Sequence, residues 1–117
     1  DIRGADCLLW SVMLSDHPSA TSFFIDAGID TGEIINAAFL PQIKLPKCAG
    51  SLDDIMTYRL LYSFIDPWVR AAVLRDTLRL TDYLENITST SQAIDAGTTF
   101  HFMHINMSKK VAEKNYC

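Results

Sequence analysis

Cysteine is scarce in this 117-residue chain, glycine and proline are few, and long apolar runs are missing. Cys7, Cys48 and Cys117 are odd in number and form no CxxC, so neither a disulfide framework nor a zinc knuckle is indicated, while one pair plus a free thiol stays open. Such usage points to a reduced chain in the cytoplasm or another intracellular compartment. The sequons Asn86-Ile87-Thr88 and Asn106-Met107-Ser108 would matter only in a secreted protein. No eighteen consecutive apolar residues occur, the longest candidates being broken by Pro41, Asp66 or polar pairs, which excludes a membrane-spanning helix. Gly4, Gly28, Gly32, Gly50 and Gly97 are scattered and never form GxGxxG or GxxxxGK, so no phosphate-cradling loop is expected. The chain opens at Asp1 with no Met and no signal-type segment, as expected of a processed, excised or incompletely described chain.

Positive charge is also in short supply. Ten Lys and Arg face fourteen Asp and Glu, a net charge of −4. Phosphate contacts need clustered bases, so no nucleic-acid partner is expected. Residues 1–43 carry Asp1, Asp6, Asp16, Asp26, Asp30 and Glu33 against Arg3 alone, whereas 101–117 carry Lys109, Lys110 and Lys114 against Glu113. An acidic first third is either a solvated face or a surface that steers a basic partner.

What is present is a run of helix signals. The apolar stretch from Ala5 to Leu14 reads as a helix that Ser15-Asp16-His17-Pro18 stops. A second helix is expected over about Pro18 to Ala27, with Gly28 as its left-handed terminator. Asp30 and Glu33 have capping-box spacing and open a third through Ile34, Ile35, Ala38 and Phe39, which Pro41 ends. Residues 41–50 form a connector between a front half (1–40) and a rear half (51–117). Ser51 with Asp54 caps a fourth helix that Asp66-Pro67 ends, and Val73, Leu80, Leu84 and Ile87 then mark a long amphipathic helix from Pro67 to about Ile87. Thr98–Met107 is ambiguous: its β-branched and aromatic content suits a strand, but with no partner strand in view, helix is preferred. A terminal helix closes the chain over 108–117. The expected fold is therefore all-α, a single domain of about six short helices, the alternative being α+β with a strand at 98–107. Its core is drawn from Leu8, Leu9, Val12, Phe23, Phe24, Ile34, Ile35, Leu60, Val73, Leu80 and Leu84, with Trp10 and Trp68 as anchors.

Few residues carry chemistry. His101 and His104 have HxxH spacing, which on a helix supplies two corners of a metal site, but no third ligand lies near in sequence and no metal or other cofactor is expected. No G-x-S-x-G frame surrounds a serine, Cys7 sits among apolar neighbours that keep a thiol protonated, and Asp53-Asp54 suits a first helical turn.

Gly4-Ala5-Asp6-Cys7-Leu8-Leu9-Trp10-Ser11-Val12-Met13-Leu14-Ser15-Asp16, then Ser19 to Phe24, Ala27-Gly28-Ile29-Asp30 and the Ile34-Ile35 segment, resembles one repeat of the amino-terminal domain of Clp unfoldases. The resemblance implies an all-helical module that binds adaptors or unfolded polypeptide and has no chemistry of its own. The expectation is thus a non-catalytic interaction module meeting a basic protein partner through Trp10, Asp16, Phe24, Asp26 and Asp30. The alternative is a small α+β enzyme or ligand-binding domain with His101 or His104 working in a pocket.

Overall fold

A computed structural model of the chain describes residues 2–46 and 51–114. Cys48, Cys117, the last four residues of the expected connector and the end of the expected terminal helix lie outside them. The order of elements is β1 (Ile2–Gly4), α1 (Cys7–Ser15), β2 (Ser19–Phe23), β3 (Ile34–Phe39), α2 (Asp54–Tyr58), a π-helical segment (Arg59–Ile65), α3 (Asp66–Leu80), β4 (Thr98–Phe100) and α4 (Ile105–Lys114). The fold is α+β, which corrects the expectation of an all-α bundle.

Two expected helices are strands. β2 and β3 form an antiparallel hairpin from Ser19 opposite Phe39 to Phe23 opposite Ile34, with an irregularity at Ser22/Phe23. The features read as helix caps serve tertiary contacts instead. The Pro18 carbonyl accepts the Leu40 N–H at 2.8 Å and closes the open end of the hairpin. Asp30 accepts the Gly4 N–H at 2.7 Å, and Glu33 accepts the Ser89 and Ser91 hydroxyls at 2.6 and 3.2 Å. The left-handed backbone expected at Gly28 falls on Asp30, with φ 55°. A carboxylate side chain bonds as readily across the fold as to its own helix, so cap spacing alone does not choose between them.

The preference for helix over 98–107 is also corrected, since Thr98–Phe100 is a strand and α4 begins only at Ile105. β4 pairs in parallel with β1, Ile2 opposite Thr98 and Gly4 opposite Phe100. The pairing joins the front and rear halves. At Gly4, φ is +92° and a Cβ would stand 2.5 Å from the Phe100 carbonyl oxygen, so only glycine fits there.

Residues 54–80 run as one continuous helical stretch through α2, the π segment and α3. Its N-cap is Asp53, whose side chain accepts the Met56 N–H at 2.8 Å. Pro67 does not end the helix. The Asp66 N–H reaches back five residues to the Leu61 carbonyl, and this widened turn just before the proline relieves the crowding its ring brings to a tight helical turn. α3 stops at Leu80 and is followed by three left-handed residues, Asp82, Tyr83 and Leu84, so the expected continuation to Ile87 is cut short.

The main core gathers Leu8, Leu9 and Val12 of α1 with Leu45, Leu61, Val69, Met103, Val111 and Ala112. Of the expected core, Leu8, Leu9, Val12 and Val73 are buried, Phe23, Ile34, Ile35 and Leu60 are half-buried, and Phe24, Leu80 and Leu84 are exposed. Trp68 is exposed as well. The buried side of α3 is Val69, Val73 and Thr77, continued by Thr81, and α3 packs on β2 and β3. Thr77 Oγ1 meets Ser22 Oγ at 2.8 Å and accepts from Asn36 Nδ2 at 3.1 Å, so part of that contact is polar. The molecule presents 7649 Å² of accessible surface, against roughly 6,400 Å² for a folded monomer of this mass by the usual scaling.

Removing methyl groups from the fully buried Val69 in Val69→Ala should cost about 2 kcal/mol in urea unfolding, whereas Leu80→Ala, at 71% exposed, should cost less than about 0.5 kcal/mol. Equal effects would mean the buried side of α3 is misassigned. Thr77→Val keeps the shape but leaves Ser22 and Asn36 without their shared partner, and should cost about 1–3 kcal/mol by the same measurement.

Candidate functional site

Asp6 stands at the N-cap of α1 in left-handed backbone, φ 56°, and its side chain makes no cap bond to its own helix. Its Oδ2 instead accepts the Met103 N–H at 2.6 Å and the Tyr62 O–H at 3.1 Å. Tyr62 belongs to the π segment, where an altered turn re-aims side chains. Its hydroxyl also lies 3.5 Å from Oγ of Ser108, a fully buried residue of α4. Ser108 Oγ in turn lies 3.4 Å from the His104 carbonyl, to which it donates. Tyr58, one helical turn before Tyr62, stacks on it with ring centroids 4.5 Å apart.

These groups line an open cleft of about 280 Å³ whose other walls are Phe102, Met103 and Ile105. The floor is polar and the walls are aromatic or apolar. Burial, reinforced by the charge and hydrogen bond of Asp6 and opposed by the Ser108 contact, pushes the Tyr62 phenol up to about 12. It is therefore a neutral donor to Asp6 throughout the physiological range. The Cys7 thiol is also pushed up, first by burial and then by the charge of Asp30, and it donates to the Gly4 carbonyl at 3.2 Å.

The residues expected to meet a partner do not share one place. Trp10 is half-buried, its ring 4.7 Å from Phe100 and its Nε1 donating to the His101 carbonyl at 3.0 Å. Asp16 terminates α1 and pairs with Lys114 at 3.0 Å. Phe24, Asp26 and Asp30 lie in one loop, residues 24–33 between β2 and β3, with Phe24 and Asp26 exposed and Asp30 half-buried with its carboxylate on the Gly4 N–H. There Asp26 Oδ1 accepts from the Gly28 N–H at 3.0 Å and the Thr31 hydroxyl at 2.7 Å. Gln92 Nε2 donates to the Asp30 carbonyl at 3.0 Å and helps hold the loop against the segment before β4. Ile25 and Ile29 project from the loop, 96% and 73% exposed.

Neither imidazole lines the cleft. The HxxH segment contributes carbonyls to the fold, the His104 ring accepting from the Asn106 N–H at 3.2 Å. Among the described residues no three His, Cys, Asp or Glu side chains gather as a metal site would need, and no helix is long and apolar enough to cross a membrane. Reading the sequence missed the cleft because its polar members, Asp6, Tyr62 and Ser108, are 56 and 46 residues apart. The signal that was available is Tyr58 and Tyr62 at i, i+4 spacing, which places two rings side by side on one face. The chain matches no protein-family model and no curated protein sequence.

Asp6→Ala, which strands the Met103 N–H and the Tyr62 hydroxyl, should cost about 2–3 kcal/mol in urea unfolding. Because the folded phenol of Tyr62 titrates above its free value of 10.0, its contribution to stability is complete below that pH and is lost as pH climbs through about 12. Alkaline titration followed by tyrosine absorbance should show a component centred near pH 12 that Tyr62→Phe removes. A difference spectrum centred near 10 would contradict the buried contact.

Proposed function

We propose that the chain is a non-catalytic protein-interaction module that meets a partner with a basic surface through the acidic loop of residues 24–33. The observation that carries this reading is the near-complete exposure of Ile25, with Ile29 and Phe24 beside it, on a loop carrying Asp26, Asp30 and Glu33. Exposed apolar groups on a tethered loop lose little freedom on binding, so their burial converts efficiently into affinity. The loop is tethered to the rest of the fold through Asp30, Glu33 and Gln92, and Asp26 braces it internally. Asp16, paired with Lys114, and Trp10, bonded to the His101 carbonyl, lie outside this loop and are not part of the proposed surface.

The reading is tested on a partner isolated by affinity capture and then measured in purified form. The double variant Ile25→Ser/Ile29→Ser should raise the dissociation rate by about tenfold or more, from the lost apolar burial. Asp26→Asn should slow association and flatten its dependence on salt. Unchanged kinetics in both variants would place the interface elsewhere, and sedimentation of the chain alone distinguishes a second copy as the occupant.

A further inference from the structure

The cleft at Asp6 has a chemistry of its own, independent of the loop. Both recorded bonds to the Asp6 carboxylate fall on Oδ2, and among the described residues no donor reaches Oδ1. No Lys or Arg among the described residues comes within ion-pair distance of Asp6. Among the described residues, a carboxylate lining an aromatic-walled cleft thus has no countercharge. Of the two hydroxyls beside it, Tyr62 already donates to Asp6, and that of the fully buried Ser108 is engaged with the His104 carbonyl and Tyr62, so neither is left as a free donor. The floor is rich in acceptors and poor in donors. An anion would meet the charge of Asp6.

The walls select further. The rings of Tyr58, Tyr62 and Phe102 line the cleft, and Phe102 is 84% exposed, a large apolar ring standing in water at its edge. Aromatic faces attract cations and shield an apolar stem. At about 280 Å³, the cleft falls just below the roughly 300–1,000 Å³ of sites for drug-sized ligands. That is ample room for one alkylammonium arm.

We propose that this cleft binds a single primary alkylammonium group, its nitrogen on Asp6 Oδ1 and its stem against Tyr58 and Phe102. A free amine and a lysine side chain offer the same chemistry, and the test separates them. The full chain is titrated with n-butylammonium, 1-butanol and butyrate while the backbone amide signals of Met103 and Ser108 are followed by NMR. The expected result is a saturable shift with n-butylammonium at an affinity about tenfold or more above that for butanol, and none with butyrate. Asp6→Asn, which keeps an acceptor for the Met103 N–H and tolerates left-handed backbone, should weaken n-butylammonium about tenfold. Phe102→Ala, at an exposed position, should weaken it several-fold without changing the thermal midpoint. A short lysine peptide binding as tightly as n-butylammonium identifies a protein side chain as the source, and rejection of the peptide identifies a free amine. Equal binding of butanol and n-butylammonium overturns the proposal, as does the absence of saturable binding. Should Asp6→Asn fail to fold, unaltered n-butylammonium binding by Phe102→Ala overturns it instead.

Discussion

One carboxylate oxygen, Oδ2 of Asp6, joins three parts of the chain that are otherwise far apart. It accepts from the backbone of Met103, 97 residues on, and from Tyr62 in the π segment of the long helical stretch. The carbonyl of the same residue accepts the Trp10 N–H at 3.0 Å and so starts α1. A charged acceptor makes stronger bonds than a neutral one, and a left-handed φ at a non-glycine residue persists only where surrounding contacts over-determine it. With Met103 held, the backbone leaving β4 is aimed past the cleft and into α4, and Ser108 comes under Tyr62. The parallel pairing of β1 with β4, three residues on each side, sits beside this anchor. So short a pair has little stability of its own. Packing of α1 against both β1 and α4 supplies what it lacks.

The long helical stretch is the second organising element, and its two sides are unusual. Its inner side toward the hairpin runs from two valines, Val69 and Val73, to two threonines, and each threonine hydroxyl donates to a carbonyl four residues back, Thr77 to Val73 and Thr81 to Thr77, both at 2.8 Å. Polar groups are thereby buried without loss, and Thr77 still offers lone pairs to Ser22 and Asn36. The outer side leaves Phe64, Trp68, Leu74 and Leu80 in water. Apolar periodicity is accordingly a poor guide here, because the residues that recur most visibly are not those that face the core.

Part of this was legible in the residues and part was not. The apolar segment of α1 and its stop at Asp16 were legible because both rest on groups within one or two turns. Helix over residues 54–80 was legible for the same reason, although the sequence split it at Pro67, where a widened turn carries it through. The hairpin was not, since Ser19–Phe23 and Ile34–Phe39 carry helix-like punctuation whose carboxylates bond to Gly4, Ser89 and Ser91. Of the cleft, only the Tyr58–Tyr62 spacing was visible.

By itself, the sequence determined what depends on near neighbours or on composition: helix over residues 7–15 and much of 54–80, an acidic first third, and the lack of a stretch able to cross a membrane as a helix. Tertiary structure alone decided the strands, the buried side of α3 and the cleft. β4 is a strand because Ile2–Gly4 lies beside it, and that partner is too short to show any periodicity of its own. Asp6 becomes the base of a cleft only when Tyr62 and Met103 reach it, 56 and 97 residues away. Local propensity is a matter of a few tenths of a kcal/mol per residue, whereas a charge-assisted contact between distant segments contributes about 1.5–3 kcal/mol, and at those positions the distant contact prevails.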